Sequence, residues 1–449
     1  FKSKKMKNIL RVLPLFLLAI AFTSCLEEKC NSTITYVRYD PVYLYPEDYR
    51  VDIIAEGPQD LCEPGGFYVY EDYLLVIEKN KGLHILDNAD ASNPAAVSFL
   101  PVKGAVGLAV RNDVLYINNY TDLVAFGLTD PASPTMLSRT EDVFEQYGAF
   151  VTDPNFQGAI IVDYIETDEE LILDCDDQDA NILPVCFFAD CWWGFRGANS
   201  DLIFASTTES AGAFADQSSG GSGEQVGIGG SLARFTIAAG TLYAVEETNL
   251  KAFSLADPSN PSFSGTVNLQ WGVETIFPYG DELYIGTNSG MHIMNIDDPL
   301  NPVRLSSMEH VRACDPVVVS NDKAYVTLRG GGPCGGFSNQ LEIVDVANPS
   351  QPVRLATYPM SGPVGLTVAD GKLFICEPDY QFNVYDLDDE GMLGDLLSRH
   401  AELSYARDVI GLPWLDQLIT IGSEGVDQLR YDEAGNLTNL SRLEICTDL

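Results

Sequence analysis

Basic residues are scarce in this chain. Only 26 Lys and Arg stand against 65 Asp and Glu in 449 residues, a formal net charge of −39. A field of that sign repels phosphate backbones and anionic headgroups, so nucleic acid is not an expected partner. Histidine is scarcer still, with four in all. No His-x-x-x-His pair, Gly-x-Ser-x-Gly elbow or recurrent ligand cluster is present, which removes the common metallohydrolase and serine-hydrolase templates. Beyond the first two dozen residues no apolar run is long enough to span a bilayer. Nothing in the composition, 46% hydrophobic and 20% charged, points to disorder or collagen.

What basic charge there is begins at the N-terminus, with Lys2, Lys4, Lys5, Lys7 and Arg11. An apolar run from Val12 to Phe22 and the small residues Thr23 and Ser24 follow, the layout of a secretory signal, with Met6 a candidate initiator. Small residues running into Cys25 resemble a bacterial lipobox, although Phe22 stands where Leu is usual. The resemblance implies that 1–24 is removed, that Cys25 is lipidated, and that the chain is held to a membrane by that anchor. Leu26-Glu27-Glu28 resembles the acidic tract that directs Bacteroidetes lipoproteins outward. An outer-membrane, cell-surface location is therefore expected, the alternative being the periplasmic face. Residues 25–60 are read as a tether and lead-in, and 61–449 as a single domain.

That domain is repetitive. Strand-like patches recur at Leu74-Leu75-Val76, Leu115-Tyr116-Ile117, Leu242-Tyr243-Ala244, Leu283-Tyr284-Ile285, Ala324-Tyr325-Val326, Leu373-Phe374-Ile375 and Leu418-Ile419-Thr420, several of them about 41 residues apart. Each follows a short β-branched strand such as Val106–Val110 and precedes an alternating one such as Leu83–Asp87. An Asp-Pro turn, Asp257–Pro261 or Asp298–Pro302, and a fourth strand complete the unit. Four short antiparallel strands cannot bury both faces alone but can when packed radially against copies, so the fold class is an all-β propeller. The gap between Tyr116 and Tyr243 is too long for one period. Gly148–Thr152, Ala159–Ile165, Glu170–Cys175 and Ile182–Phe188 read as a divergent unit within it, leaving 189–230 as an insertion. Eight blades are expected, or seven if that unit does not join the ring.

The segments Leu83–Pro94 and Leu341–Pro352 resemble the LVIVD repeat of bacterial surface propellers. For that family the resemblance implies a propeller and a surface location, with no defined chemistry.

With strands a to d running outward from the axis, the d–a crossings and b–c loops share one face and the a–b and c–d turns the other. Both long irregularities, 189–230 and Arg329–Ser338, fall on the first face, where binding is expected. Trp192 and Trp193 could form a platform for a sugar ring or an apolar patch, or simply anchor their loop. Arg196, Arg234, Trp271, His310, Arg312, Arg329, His400 and Arg407 map to the same face or to axial strand ends. They are ligand-binding candidates, the alternative being that the cations neutralise neighbouring carboxylates. The glycines of Gly227–Ser231 precede a strand rather than a helix, so no nucleotide is expected. Asp177, Asp179 and Asn181 alternate as calcium ligands would, but Ile182 and Phe188 stand where Gly and Glu are needed, so no metal or other cofactor is expected.

Ten cysteines in an oxidising compartment should partly pair. The candidates are Cys314 with Cys334, in one unit and on one face, and Cys175 with Cys186. His84 and His292 occupy equivalent repeat positions and are read as structure, with no catalytic residue assigned. A non-enzymatic surface propeller that binds a protein or glycan is the leading expectation. The alternative is an extracellular polysaccharide hydrolase or lyase using axial acids such as Glu274 or Asp408.

Overall fold

The computed structural model describes residues 31–145, 158–174, 226–310, 316–330, 338–378 and 380–446. The chain divides into two compact units, Phe1–Leu44 with Ala149–Phe195, and Tyr45–Gly148 with Arg196–Leu449.

The first unit contains a two-stranded antiparallel ribbon, Asn31–Leu44 paired with Ile160–Asp174. This replaces the divergent eighth blade. Ala159–Ile165 and Glu170–Cys175, read as two strands of one sheet, fall, as far as the described residues go, almost wholly on a single 15-residue strand, Ile160–Asp174. A tight hairpin between them is favoured by Gly, or by an Asn-Gly or Asp-Gly pair, at left-handed positions. The intervening Glu166-Thr167-Asp168-Glu169 has no Gly and no such pair, and the strand continues along its 14-residue partner. That partner lies inside the segment read as tether and lead-in, which also holds a short helix, Pro46–Tyr49.

Among the described residues the second unit forms seven four-stranded antiparallel blades, spanning 64–100, 108–140, 235–268, 273–309, 317–359, 366–400 and 406–444. The blades are numbered 1 to 7 in that order, each with strands a to d. The a–b hairpins close on two residues, as at Asn112-Asp113 and Asn321-Asp322, with positive φ at both positions. That backbone twist matches the twist of the flanking strands. The c–d turns are held by Asx bonds: Asp90, Asp130 and Asp257 each accept the amide two residues on, at 3.0–3.1 Å.

Those turns also join the blades. In blades 1 to 5 the carbonyl just after the turn's Asp or Asn accepts a hydroxyl from a neighbour. Ser98 donates to Pro131, Tyr116 to Pro258, Tyr243 to Pro299, Ser306 to Pro349 and Ser441 to Ala91, at 2.6–2.9 Å. In blades 6 and 7 the acceptors are Gly391 and Gly435, bonded by Tyr325 and Ser398. Further polar bonds such as Tyr70–Asp113 and Tyr431–Asp370 cross between blades, and the apolar contact places Leu75, Leu115, Phe126 and Phe253 in one continuous buried cluster.

The ring closes between blades 7 and 1, through the Ser441 bond and the Cys62–Cys446 disulfide, whose cysteines are 384 residues apart. The Cys446 amide also donates to the Leu61 carbonyl at 2.8 Å. Cys314, Cys334, Cys175 and Cys186 lie outside the described residues, and the buried Cys376 is unpaired. Linking the two ends of the ring restricts the unfolded chain, a contribution of about 2–4 kcal/mol. Replacing Cys62 and Cys446 together by Ser should lower the melting temperature by several degrees, read by differential scanning calorimetry. An unchanged transition would show that the ring closes without the bond.

Candidate functional site

The axis of the ring is occupied by the chain itself. Blade 2 ends on the loop face, but the chain re-enters the ring at the opposite face, where Val226 bridges Arg111 at the end of strand a. Ile228 and Gly229 then pair antiparallel with Val69 and Tyr68, adding a fifth, innermost strand to blade 1. The Gly227 amide donates to the Val110 carbonyl of blade 2 at 3.1 Å, and the Tyr68 hydroxyl to the Gly227 carbonyl at 2.9 Å. Higher up, Ser231 donates to Asp408 of blade 7 through both its amide and hydroxyl, at 3.0 and 2.7 Å. The Leu366 amide of blade 6 donates to the Ser231 hydroxyl at 2.9 Å. The Ala233 carbonyl accepts Ile276 of blade 4, and Phe235 opens blade 3.

Small residues make this passage possible. A Cβ on Gly227 would lie 2.3 Å from the Tyr68 ring, and one on Gly230 would lie 2.1 Å from an Asp408 oxygen. Leu232 is buried with Phe67, Val364 and Ile410, sealing the mouth from within. A residual cavity of about 20 Å³ beside Gly107, Gly229 and Phe235 has room for about one water. The tract Gly227–Ser231 does precede a strand, as the sequence indicates, and its glycines serve close backbone approach.

Asp408 is 1% exposed, and its second oxygen, Oδ2, has no hydrogen-bond partner. Burial pushes its pKa up to about 7, against the hydrogen bonds from Ser231 and the Val409 amide, which lower it. The neighbouring Cys376 thiol is pushed up as well, by burial and then by Asp408.

Buried polar groups also ring the loop face, mostly at the third residue of strand c: His84, Lys251, His292, Glu342, Asn383 and Asp427. Each has a partner in its own blade or on the adjoining crossing, although Glu342 Oε2 and Asn383 Oδ1 are left without one. His84 meets Glu78 at 3.2 Å, Lys251 meets Glu246 at 2.8 Å, and Glu342 and Asp427 meet Arg354 and Arg442 at 2.8 Å. His292 bonds Ser307 and the Leu269 carbonyl, and Asn383 bonds Glu377. Burial alone would raise the Glu78 carboxyl. Hydrogen bonds from His84, the Cys62 and Glu63 amides and Lys81 outweigh that and hold it at about 2. His84 and His292 thus occupy one register position, as their repeat spacing suggests.

The ligand-binding candidates are dispersed. Trp192, Trp193, Arg196 and Arg312, with Cys25, lie outside the described residues. Trp271, 58% exposed, stands on the d–a crossing from blade 3 to blade 4. Arg234, Glu274 and Arg407 stand at the entries of the inner strands of blades 3, 4 and 7. Arg234 lies in the field of the half-buried Glu247, whose carboxyl burial raises. His310 follows blade 4, its amide on the Ser289 carbonyl, and Arg329 follows strand b of blade 5. His400 is taken up locally by Glu402 and Ser398, both at 2.9 Å. Two features went unread in the sequence: the exposed Tyr380 on the same face, and a concavity of about 180 Å³ between blades 1 and 2 on the opposite one. Among the described residues no cluster of His, Cys, Asp or Glu could hold a metal ion.

Comparison with known proteins agrees with the architecture. The LVIVD repeat model matches residues 66–100 and 312–359, which cover most of blade 1 and all of blade 5. No curated protein matches the chain. A protein from Lactobacillus plantarum of solved structure is 10% identical, with a TM-score of 0.52 over 86% of this chain and 97% of its own. A putative 6-phosphogluconolactonase from Bacteroides fragilis is also 10% identical, with a TM-score of 0.50 over 88% and 95%. The periplasmic gluconolactonase of Pseudomonas aeruginosa gives 0.49 at 10% identity, over 88% and 97%. At such identity the likeness to the first two is one of fold.

Two outcomes follow from the axial contacts. Gly230→Ala should destabilise the domain by about 1–3 kcal/mol, because the extra carbon has only Asp408 and Phe67 to displace; an unchanged urea midpoint would contradict the contact. Asp408 keeps its proton to a higher pH when folded than when unfolded, so it costs stability increasingly as pH rises from about 4 to 7 and no more above that. Asp408→Asn should remove that component. The stability difference, variant minus wild type, should therefore grow over this window in denaturant titrations at stepped pH.

Proposed function

We propose that this chain is a surface-anchored lipoprotein whose propeller binds a protein or a glycan and performs no chemistry. The observation that carries the reading is the occupied axis. An enzyme working at the axis needs an open mouth and acids facing it, whereas here Val226–Ala233 fills the channel and Asp408 is buried against Ser231. Ligand contact is left to the faces. On the loop face Trp271 and Tyr380 are exposed, at 58% and 56%, offering rigid amphipathic rings at little conformational cost. Trp192 and Trp193, outside the described residues, are the further aromatic candidates.

The polysaccharide hydrolase or lyase remains the competing reading, with Glu274 as its remaining axial acid. A lactonase-like activity has no support beyond the fold shared with the putative 6-phosphogluconolactonase structure. The anchor rests on the lipobox-like run into Cys25. Among the described residues no helix is long and apolar enough to cross a membrane.

Three measurements test this. Cells fed an alkyne fatty acid should label the wild-type chain and not Cys25→Ser, and protease added to intact cells should cleave the labelled chain. The purified ectodomain should retain a partner from glycan or surface-protein arrays. Trp271→Ala with Tyr380→Ala should weaken that binding about tenfold or more, while Asp408→Asn leaves it unchanged. Turnover of a polysaccharide that Glu274→Gln abolishes would replace the binding reading by the enzymatic one.

A further inference from the structure

The concavity between blades 1 and 2 has a definite structural origin. The third residue of strand b, paired with the inner strand at the same register in every blade, is Leu75, Tyr116, Tyr243, Tyr284, Tyr325, Phe374 and Ile419. Tyr116, Tyr243 and Tyr325 reach across to the c–d turn of the next blade. Leu75 cannot. The Pro131 carbonyl of that turn is bonded instead by Ser98 at 2.6 Å, from the outer strand. The space a phenol ring would fill is left as a concavity of about 180 Å³, with Leu75 and Ile85 at its floor and Pro131 on its far wall. A cavity of about 150 Å³ holds benzene.

The surroundings give this slot a chemical preference. Tyr70 and Tyr73 line it, together with the carboxylates of Glu71 and Asp113. Tyr70 is fixed by a two-way bond with Asp113: its hydroxyl donates to Oδ1 at 3.1 Å and accepts the Asp113 amide at 2.9 Å. Asp72, Asp87 and Asp130 also act on the Tyr73 hydroxyl, so the charges felt there are carboxylates. Burial, and then those charges, hold the Tyr73 phenol above its ordinary value. Leu75 and Ile85 lie buried beneath the slot, and the aromatic faces and carboxylates that make up its more polar lining attract a cation and repel an anion.

We infer that this slot is a binding site for a compact organic cation, an apolar body about the size of a benzene ring carrying one ammonium or guanidinium group. The body occupies the space that the tyrosine ring fills in blades 2, 3 and 5, and the charged end meets Glu71 and Asp113. The site lies on the face opposite Trp271 and Tyr380, so it stands or falls independently of the function proposed above. The same chemistry is offered by a free amine and by a Lys or Arg side chain of a protein.

Benzylamine is the probe, titrated into the purified ectodomain by isothermal calorimetry and ligand-observed NMR, with benzyl alcohol and benzoate as neutral and anionic counterparts. Benzylamine should bind, benzoate should not, and benzyl alcohol should bind at least about tenfold more weakly. Affinity for the amine should fall as salt is raised. Leu75→Tyr supplies the missing ring in its place, so it should abolish benzylamine binding while keeping or raising the melting temperature. If that variant fails to fold, Glu71→Gln, at an exposed turn, should still weaken the amine and leave benzyl alcohol unaffected. A Gly-Lys-Gly peptide competing for the slot would assign it to a protein side chain, and failure to compete would assign it to a free amine. Equal binding of all three probes, absence of benzylamine binding, or binding that survives Leu75→Tyr in a folded protein would overturn the assignment.

Discussion

Each blade presents its neighbour with one backbone carbonyl at the outer corner of its c–d turn, and the ring depends on that carbonyl being met. A partly buried carbonyl left unbonded costs stability, and every interface supplies a donor. Four interfaces use a serine of strand d, Ser98, Ser306, Ser398 and Ser441, and three use a tyrosine of strand b. Even the junction between the first and last blades obeys the rule, so the disulfide of Cys62 and Cys446 locks a contact that already matches the other six. The repetitive Asp-Pro turns are therefore the acceptor half of the assembly, with Asx bonds holding each carbonyl in place.

The donor can come from either of two strands, and this freedom gives the interfaces different interiors. Where tyrosine donates, its ring fills the space between blades. At blade 1, where Ser98 donates and the third residue of strand b is Leu75, the bond is kept and a concavity remains. The axis shows the reverse situation. There the chain's own Val226–Ala233 takes up the volume, and glycines at 227 and 230 let its backbone approach Tyr68 and Asp408 closely enough to bond. The cost falls on Asp408, a carboxyl with two hydrogen bonds from Ser231 on one oxygen and none on the other.

Much of this was legible in the residues. The b3 tyrosines and the Asp-Pro turns repeat at a constant interval, so strand order, blade composition and the shared register of His84 and His292 could be read directly. The stretch around Ile160–Asp174 could not, because strand alternation looks the same in a ribbon as in a blade; only its partner at Asn31–Leu44 distinguishes them. The seventh blade, and not the eighth, therefore closes the ring. Gly227–Ser231 was visible as a small-residue tract before a strand, but the role of its glycines depends on Tyr68 and Asp408, far away in sequence. Cys62 and Cys446 carry no local signal at all, since 384 residues separate them.

The sequence by itself determined the repeat, its four-stranded unit and the acidic surface, because each is written in neighbouring residues whose spacing sets strand pairing and turn type. It also marked an N-terminal run ending in Cys25. Tertiary structure alone decided how many units close the ring, which cysteines lock it, what fills its axis and where a ring-sized space is left open. Each of these depends on the volume and bonding partners that residues meet across blades, which local pattern does not encode.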